Sequence, residues 1–267
     1  MHQDHPLTTR QEEEREYFLQ ERWPFESWVI DEDIIPWNMR EFERILLEEA
    51  GGPEALEGKR ILDCGCGWGV LSVLLAKQGA LVSAVDISPT CVDIARRLAS
   101  ENEVEKEVDV KQGVLEELAF DDEEFDIIMG TRILHHVDID RTRRELFRVL
   151  RNGGVAVFWE CTYKNQPYNF VRNLWRRFRW IPVAGTRHEH PLTEEEVGML
   201  DGQFGGTLKM HTTPFVIFSH LAMVLTMGKL PALERVGGVL DRFFDRNFPF
   251  LRKGSLHQIL VMKKQVP

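Results

Sequence analysis

The fold is decided by residues 61–69, which read Ile61-Leu62-Asp63-Cys64-Gly65-Cys66-Gly67-Trp68-Gly69. The apolar start of this stretch predicts a buried strand, and the apolar spacing that begins at Val70 predicts a helix. Between them, glycine occupies three alternate positions. Because glycine lacks a Cβ atom, the backbone of such a loop can approach a ligand closely, and the helix N-terminus adds unpaired N–H groups. We therefore predict a ligand-binding turn here.

The glycine spacing indicates which class of ligand this turn fits. A dinucleotide-binding loop has the pattern G-x-G-x-x-G, and Val70 stands at the last glycine position of that pattern. The sequence therefore disfavours an NAD-dependent dehydrogenase.

Strand and helix patterns alternate on both sides of this turn, which predicts an α/β fold with a doubly wound, mostly parallel sheet. Residues 1–57 are expected to form a helical N-terminal cap, residues 58–160 the ligand-binding core, and residues 161–267 the part that completes the sheet. The predicted strands are 60–62, 81–85, 108–112, 125–129, 155–159, 206–213 and 257–264, and the predicted core helices are 70–77, 89–102 and 141–150.

The C-terminal part contains three further features. A basic, aromatic amphipathic helix is predicted over residues 168–180, and a helix is expected to begin after Thr193, where T-E-E-E resembles a capping box. A helical insertion is expected over about residues 213–253. Residues 210–228 carry no Asp, Glu, Lys or Arg, but polar residues interrupt them, so a buried strand and an apolar helix are favoured over a membrane span.

The charge is unevenly distributed along the 267 residues, whose formal net charge is −10. Residues 1–160 hold 18 Lys and Arg against 35 Asp and Glu. This acidic part argues against a broad nucleic-acid-binding face, because phosphate neutralisation supplies most of that affinity. We see no secretory signal and expect the four cysteines to be reduced, which predicts a cytoplasmic protein.

Four motifs in order resemble class I S-adenosylmethionine (SAM) dependent methyltransferases, in particular the type 11 group that includes menaquinone and ubiquinone methyltransferases. The first is the glycine-rich turn, and the second is the acidic end of the next strand, Val85-Asp86. The third is residues 125–130 followed by Leu134-His135-His136-Val137, and the fourth is residues 150–154. The resemblance implies a seven-stranded, Rossmann-like fold with SAM as cofactor and S-adenosylhomocysteine as product.

The same resemblance implies a set of cofactor-binding residues. Asp63 is expected to face the methionine amino group, and Asp86 to accept hydrogen bonds from both ribose hydroxyls. At Val114 the sequence departs from the family, which usually has an aspartate there that accepts from the adenine amino group. Backbone groups around Val114 and Leu115 are expected to replace it. The full predicted set is Asp63, Gly65, Gly67, Gly69, Asp86, Ile87, Val114, Leu115 and Gly130.

Three residues are candidates for catalysis. Glu160 ends a predicted strand, where open α/β sheets place ligands, and could orient an acceptor or remove its proton. His135 and His136 are candidates for a general base, because an unperturbed imidazole has a pKa of about 6.5. His188 and His190 flank Glu189, but no third ligand is placed beside them, so we assign no metal.

These patterns predict an enzyme (EC 2.1.1.-) that methylates a small-molecule or lipid-like acceptor. An RNA or protein methyltransferase is the enzyme alternative. A non-catalytic SAM-binding or membrane-associated protein is the alternative from another class. Membrane contact, if made, is expected to be peripheral, through residues 168–180 and 214–246; no nucleic-acid partner is expected.

Overall fold

The computed structural model of the protein describes residues 6–164, 190–226 and 230–265. The basic helix predicted over residues 168–180 lies outside the described residues, as do His188 and Glu189.

The core of the protein is one seven-stranded sheet. The first five strands pair in parallel, and the last strand pairs antiparallel with the fifth and the sixth. This confirms the predicted mostly parallel, doubly wound fold. The strands are β1 (Arg60–Cys64), β2 (Leu81–Asp86), β3 (Val108–Gln112), β4 (Phe125–Thr131), β5 (Leu150–Cys161), β6 (Lys209–Thr212) and β7 (His257–Lys263), in the spatial order β3-β2-β1-β4-β5-β7-β6.

Helices cover both faces of the sheet, because successive side chains of a strand point to opposite faces and both sets are apolar. Ile61 belongs to an apolar cluster on one face with residues of the second, third and fourth helices. Leu62 belongs to a cluster on the other face with residues of the fifth and sixth helices. The helices are α1 (Thr9–Phe18), α2 (Arg40–Ala50), α3 (Val70–Lys77), α4 (Pro89–Glu101), α5 (Ile139–Val149), α6 (Glu194–Gln203), α7 (Phe218–Thr226) and α8 (Pro231–Asn247). Thr193 caps α6 with the predicted capping box.

Helix α1 is attached to the protein differently from the other helices. Its buried residues are Gln11 and Glu14 rather than apolar side chains. The Arg10 guanidinium donates to the carbonyl of His135 at 3.2 Å, and the Ser88 hydroxyl donates to the carbonyl of Phe18 at 3.1 Å. Polar contacts therefore hold this part of the N-terminal cap against the carboxyl ends of the strands.

The predicted C-terminal insertion consists of α7, α8 and a short 3-10 helix, Pro249–Gly254. Buried Asp241 of α8 accepts hydrogen bonds from the backbone N–H groups of Ile217, Phe218 and Ser219 at 2.8–3.0 Å. This carboxylate satisfies N–H groups at the start of α7 that have no partner within the helix. The Asp241 side chain of α8 thus fixes where α7 begins.

The prediction for residues 210–228 was correct in element type and wrong in burial. β6 is a sheet edge whose residues are half-buried or exposed, because β7 is its one strand partner in the described sheet. Helix α7 exposes Leu221 and Met223. None of the helices within residues 6–164, 190–226 and 230–265 has the length and apolar content needed to cross a bilayer.

Candidate active site

The strand order reverses between β1 and β4, whose carboxyl ends therefore open into a crevice, the usual ligand position in such sheets. A cavity of about 1150 Å³ lies there. Its walls come from the loops after β1, β2, β3 and β4, from α1, and from the C-terminal insertion. Typical small-molecule pockets have roughly 300–1,000 Å³, so this cavity has room for a cofactor and an acceptor together.

The glycine-rich turn forms one wall of the cavity. Gly65, Gly67 and Gly69 have φ values of +65°, +52° and +76°, which glycine adopts readily and other residues rarely do. The N–H groups of Gly65 and Cys66 both donate to the carbonyl of Val85, at 2.8 and 3.1 Å. These bonds tie the turn to the end of β2.

Gly65 and Gly67 are required for different reasons. A Cβ atom on Gly65 would lie 2.5 Å from two side-chain atoms of Ile133, whereas a Cβ on Gly67 would meet nothing within 4 Å. Gly65 thus lets the loop after β4 pack against the turn. Gly67 instead leaves open space on the cavity side, which is where a cofactor would approach the backbone.

Asp86 lies at the end of β2 with its carboxylate at the cavity wall. Its Oδ2 accepts from the N–H of Gly67 at 2.8 Å, and its Oδ1 accepts from the N–H of Ser88 at 2.9 Å. Burial raises the pKa of this carboxyl, and the two backbone N–H groups oppose that rise. Each oxygen is fixed in place and retains lone pairs for a diol ligand, as the ribose prediction requires.

Asp63, the next-to-last residue of β1, is buried and also lines the cavity. The Ser72 hydroxyl donates to its Oδ2 at 2.6 Å. Burial raises the pKa of Asp63 to about 7, and the nearby Asp86 charge adds to the rise. A cation bound at this carboxylate would reverse that shift, which fits the predicted contact with an amino group.

The loop after β3 forms the wall predicted for adenine. Ile87, Val114 and Leu115 all line the cavity. The N–H of Gly113 donates to the carbonyl of Asp86 at 3.0 Å, which holds this loop beside the end of β2. Buried Glu116, which we did not predict, also lines the cavity, and its Oε1 accepts from the N–H of Asp138 at 3.1 Å.

Two of the predicted cofactor-binding glycines do not line the cavity. A Cβ on Gly69 would lie 2.8 Å from the Cβ of Ala95, so this glycine lets α3 and α4 approach each other. A Cβ on Gly130 would lie 2.8 Å from side-chain atoms of both Ile133 and Phe158. Both glycines shape the site through packing, and the structure gives neither a place in the cavity wall.

Glu160 is fully buried and holds the loop after β4. Its Oε1 accepts from the N–H groups of Ile133 and Leu134 at 2.6 and 2.7 Å, and its Oε2 lies 2.7 Å from Nδ1 of His135. His135 lines the cavity and Glu160 does not. The structure therefore leaves Glu160 no direct contact with an acceptor, and any role in the reaction would be exerted through His135.

His136 is paired with α1. Its Nδ1 lies 2.9 Å from Oε2 of buried Glu14, and its ring lies 4.2 Å from the ring of His135 between centroids. Both histidines line the cavity, as predicted residues of the active-site loop should. The pairing with Glu14 was not predictable from sequence, since 122 positions separate the two residues.

The part of the cavity farther from the glycine-rich turn combines apolar side chains with basic groups that sequence analysis missed. His220 of α7, His257 of β7 and Arg132 all line it. Burial lowers the pKa of His257 to about 3 and also lowers the pKa of His220, and the Arg132 charge contributes to both shifts. The apolar residues of this part are Phe215, Ile217, Leu221, Met223, Phe250, Leu251 and Leu256.

A family model described as a methyltransferase domain matches residues 62–158. This segment contains the glycine-rich turn, Asp86 and the loop after β4. Residues 62–158 form a class I SAM-dependent methyltransferase domain.

Relatives of known name support the domain assignment. The ubiquinone biosynthesis O-methyltransferase of Alkalilimnicola ehrlichii is 38% identical over 118 residues, which are 43% of this chain and 47% of that protein. The chain thus matches about half the length of this relative.

Solved structures resemble the whole fold. Geranyl diphosphate C-methyltransferase from Streptomyces coelicolor has a TM-score of 0.60 at 18% identity, covering 98% of this chain and all of that one. The cyclase SpnF has a TM-score of 0.57 at 19% identity, covering 90% and 86%. At such identities the likeness concerns the fold, and one fold carries different reactions. The chemistry of the methyltransferase domain depends on its own residues.

Proposed function

We propose that this protein transfers a methyl group from SAM to a small, largely apolar or lipid-like acceptor bound beside the cofactor. The observation that carries this proposal is the two-part cavity. One part is built from Asp63, Asp86 and the glycine-rich turn, and the other is apolar and lined by histidines. The cofactor supplies an electrophilic methyl carbon on a sulfonium; the protein has to hold the acceptor in line with it and exclude water.

The cofactor part fits SAM group by group. Asp86 presents a fixed carboxylate suited to the two ribose hydroxyls, and Asp63 presents a buried carboxylate suited to the amino group. Gly67 leaves room at the turn, and Ile87, Val114 and Leu115 provide a wall for the base. Gly65, Gly69 and Gly130 support this arrangement through packing.

We infer that His135 accepts the proton of the acceptor. With Glu160 at its Nδ1, the neutral ring carries hydrogen on Nδ1 and a lone pair on Nε2. Proton transfer to Nε2 leaves the acceptor's electron pair to form the new bond to the methyl carbon, while the carbon–sulfur electron pair stays with sulfur. Buried Glu160 stabilises the imidazolium that results, and it acts as a positioning residue.

A lipid-like acceptor is favoured by the surface around the cavity mouth. Leu221, Met223 and Phe250 line the cavity and are also exposed at the surface. The exposed apolar face of α8 adds Leu233, Val236, Val239, Leu240 and Phe243. A patch of this kind is typical of a surface that meets apolar partners, and it supports the predicted peripheral contact with a lipid bilayer through residues 214–246.

The proposal is tested by SAM and S-adenosylhomocysteine binding, followed by methyl transfer from labelled SAM to a cell extract that is then separated into organic-soluble, RNA and protein fractions. We expect cofactor binding and label in an organic-soluble product. Labelled RNA or protein instead would assign a different acceptor class. Binding without turnover on any extract would favour the non-catalytic alternative, and absence of cofactor binding would refute the function.

Vesicle flotation tests the membrane contact separately. We expect the protein to float with neutral phosphatidylcholine vesicles, and the double variant Val236→Lys, Phe243→Ser to remain in the lower fraction. The variant Arg235→Lys, which keeps the charge beside the same face, serves as a control and should float. Equal flotation of the double variant and the wild type would contradict the contact.

A further inference from the structure

Arg132 stands where the loop after β4 enters the acceptor part of the cavity, and nothing in the proposed reaction uses it. It is the first residue after β4, and its φ of +54° lies in the left-handed region that a long side chain rarely adopts. The backbone holds it there, because its N–H donates to the carbonyl of Trp159 at 2.8 Å. Strained positions of this kind concentrate at functional sites.

The guanidinium of Arg132 has no hydrogen bond or ion pair with any residue in 6–164, 190–226 and 230–265. The guanidinium lies near the ring of Trp159, whose centroid is 5.9 Å from Cζ. By contrast, Arg143, Arg148 and Arg252 all pair with carboxylates. Arg132 is exposed and lines the cavity, so it brings to the cavity entrance a positive charge that no carboxylate of the described residues pairs with.

Among the described residues, the ionisable groups on this side of the cavity do not pair with Arg132. His220 and His257 are neutral at pH 7, because burial and the Arg132 charge lower their pKa values. The buried carboxylates of Glu160 and Asp241 make their hydrogen bonds to other groups. Glu160 accepts two backbone N–H groups and faces His135, and Asp241 accepts from the start of α7.

We propose that Arg132 is a binding site for an oxyanion on the acceptor, with the neutral rings of His220 and His257 as further hydrogen-bonding groups. This inference rests on the proposed function and narrows its substrate class to amphiphiles that carry a carboxylate or a phosphate. A guanidinium suits both, since its fork of N–H donors matches two oxygens at once. The apolar side chains listed above would contact the remainder of the molecule.

The test compares three ten-carbon probes, which are decanoate, decyl phosphate and decanol. Each is titrated calorimetrically into protein saturated with S-adenosylhomocysteine. We expect at least one anion to bind at least about tenfold more tightly than decanol, as a charge-assisted hydrogen bond implies. The comparison of decanoate with decyl phosphate then identifies the oxyanion.

Two variants decide whether Arg132 is responsible. Arg132→Gly relieves the positive φ and so should fold at least as well as the wild type, yet we expect it to lose the preference for the anion while still binding decanol. Arg246→Gln removes an exposed arginine that does not line the cavity, and the preference should persist. The inference is overturned if wild type binds the three probes equally or not at all, or if Arg132→Gly keeps the preference.

Failure of this inference can be separated from failure of the proposed function. Binding of S-adenosylhomocysteine is measured before any probe is added. If it is absent, the methyl-transfer proposal fails, and the decyl series in the ligand-free protein still reports on Arg132.

Discussion

The two ends of the cavity are built in different ways. The cofactor end comes from residues 63–115, mostly from backbone groups and from carboxylates at strand ends. The acceptor end is assembled from side chains far apart in sequence, on α1, the loop after β4, α7 and β7. The contrast teaches that the proposed cofactor end is local in sequence, whereas the proposed acceptor end depends on the complete fold.

The largest expected effect is a loss of turnover that leaves cofactor binding unchanged. His135→Gln and Glu160→Gln should lower kcat on the identified acceptor by about 10²–10⁴-fold and about 10²-fold, because the first removes the proton acceptor and the second its orientation. Binding of S-adenosylhomocysteine, measured by calorimetry, should stay within about twofold. The control is the variant His190→Gln, because His190 is not part of the cavity wall. Loss of cofactor binding in either variant would remove the division between the two ends.

The cofactor end should respond in the opposite way. Asp86→Ala should weaken binding of S-adenosylhomocysteine by about 100-fold, because it removes hydrogen bonds to a charged acceptor and frees the N–H of Gly67. Asp93→Ala, an exposed carboxylate on α4, is the matched control and should bind normally. Equal affinities for the two variants would contradict the ribose assignment. Asp86→Asn should retain part of the affinity.

The packing role of Gly65 can be isolated with a double-mutant cycle. Gly65→Ala should lower the free energy of unfolding by about 1–3 kcal/mol, because its Cβ overlaps Ile133 and its φ is positive. Adding Ile133→Ala should recover part of this loss, and denaturant titration measures it. Gly67→Ala has no overlap and should destabilise less, while still weakening cofactor binding. If the second substitution recovers nothing, strain at Gly65 rather than the overlap is responsible.

The most gradual effect is the pH dependence at Asp63. Its pKa is raised to about 7 from 3.8, so at pH 6 the ligand-free carboxyl is mostly protonated, and binding of the amino group should release a proton. Affinity should rise with pH by up to about tenfold per unit between pH 5 and 7. Calorimetry in buffers of different ionisation enthalpy counts the proton.

Asp63→Asn is the control for that measurement. Binding of S-adenosylhomocysteine to this variant at pH 6 should release about one proton fewer than binding to the wild type. Because the pKa of Asp63 is raised in the folded protein, the wild type loses folding stability as pH rises from 3.8 through 7. Without ligand at pH 8, Asp63→Asn should therefore have a higher Tm than the wild type. An unchanged proton count would show that Asp63 does not face the amino group.

The sequence predicted the core well because its patterns are local. The strand predicted at 108–112 and the helix predicted at 70–77 have those bounds in the structure, and the alternation of strands and helices predicted the parallel pairing of the first five strands. Asp63 and Asp86 were visible because strand ends carry ligand-binding residues. Burial of β6 was predicted wrongly, because an uncharged run does not reveal that its strand lies at an edge.

The acceptor end was harder to predict for a physical reason. Arg132 follows β4 directly, and that position was a usable signal, but the absence of a counter-charge appears only when the surrounding elements are placed. His257 reaches the cavity because β7 runs antiparallel to β5 and places its first residue beside Cys161. Glu14 meets His136 only through the position of α1. Such pairings over long sequence separations leave no periodic trace in the chain.

The position of β7 also bears on biosynthesis. β7 lies between β5 and β6, both of which precede it in the chain, so on the ribosome β6 emerges long before its strand partner. Because a domain generally folds as a unit, the edge of the sheet formed by β7 and β6 cannot be completed while β7 is still being synthesised. The wall that contains His257 forms only after this last strand is released. The proposed acceptor end therefore takes shape only after β7 has left the ribosome.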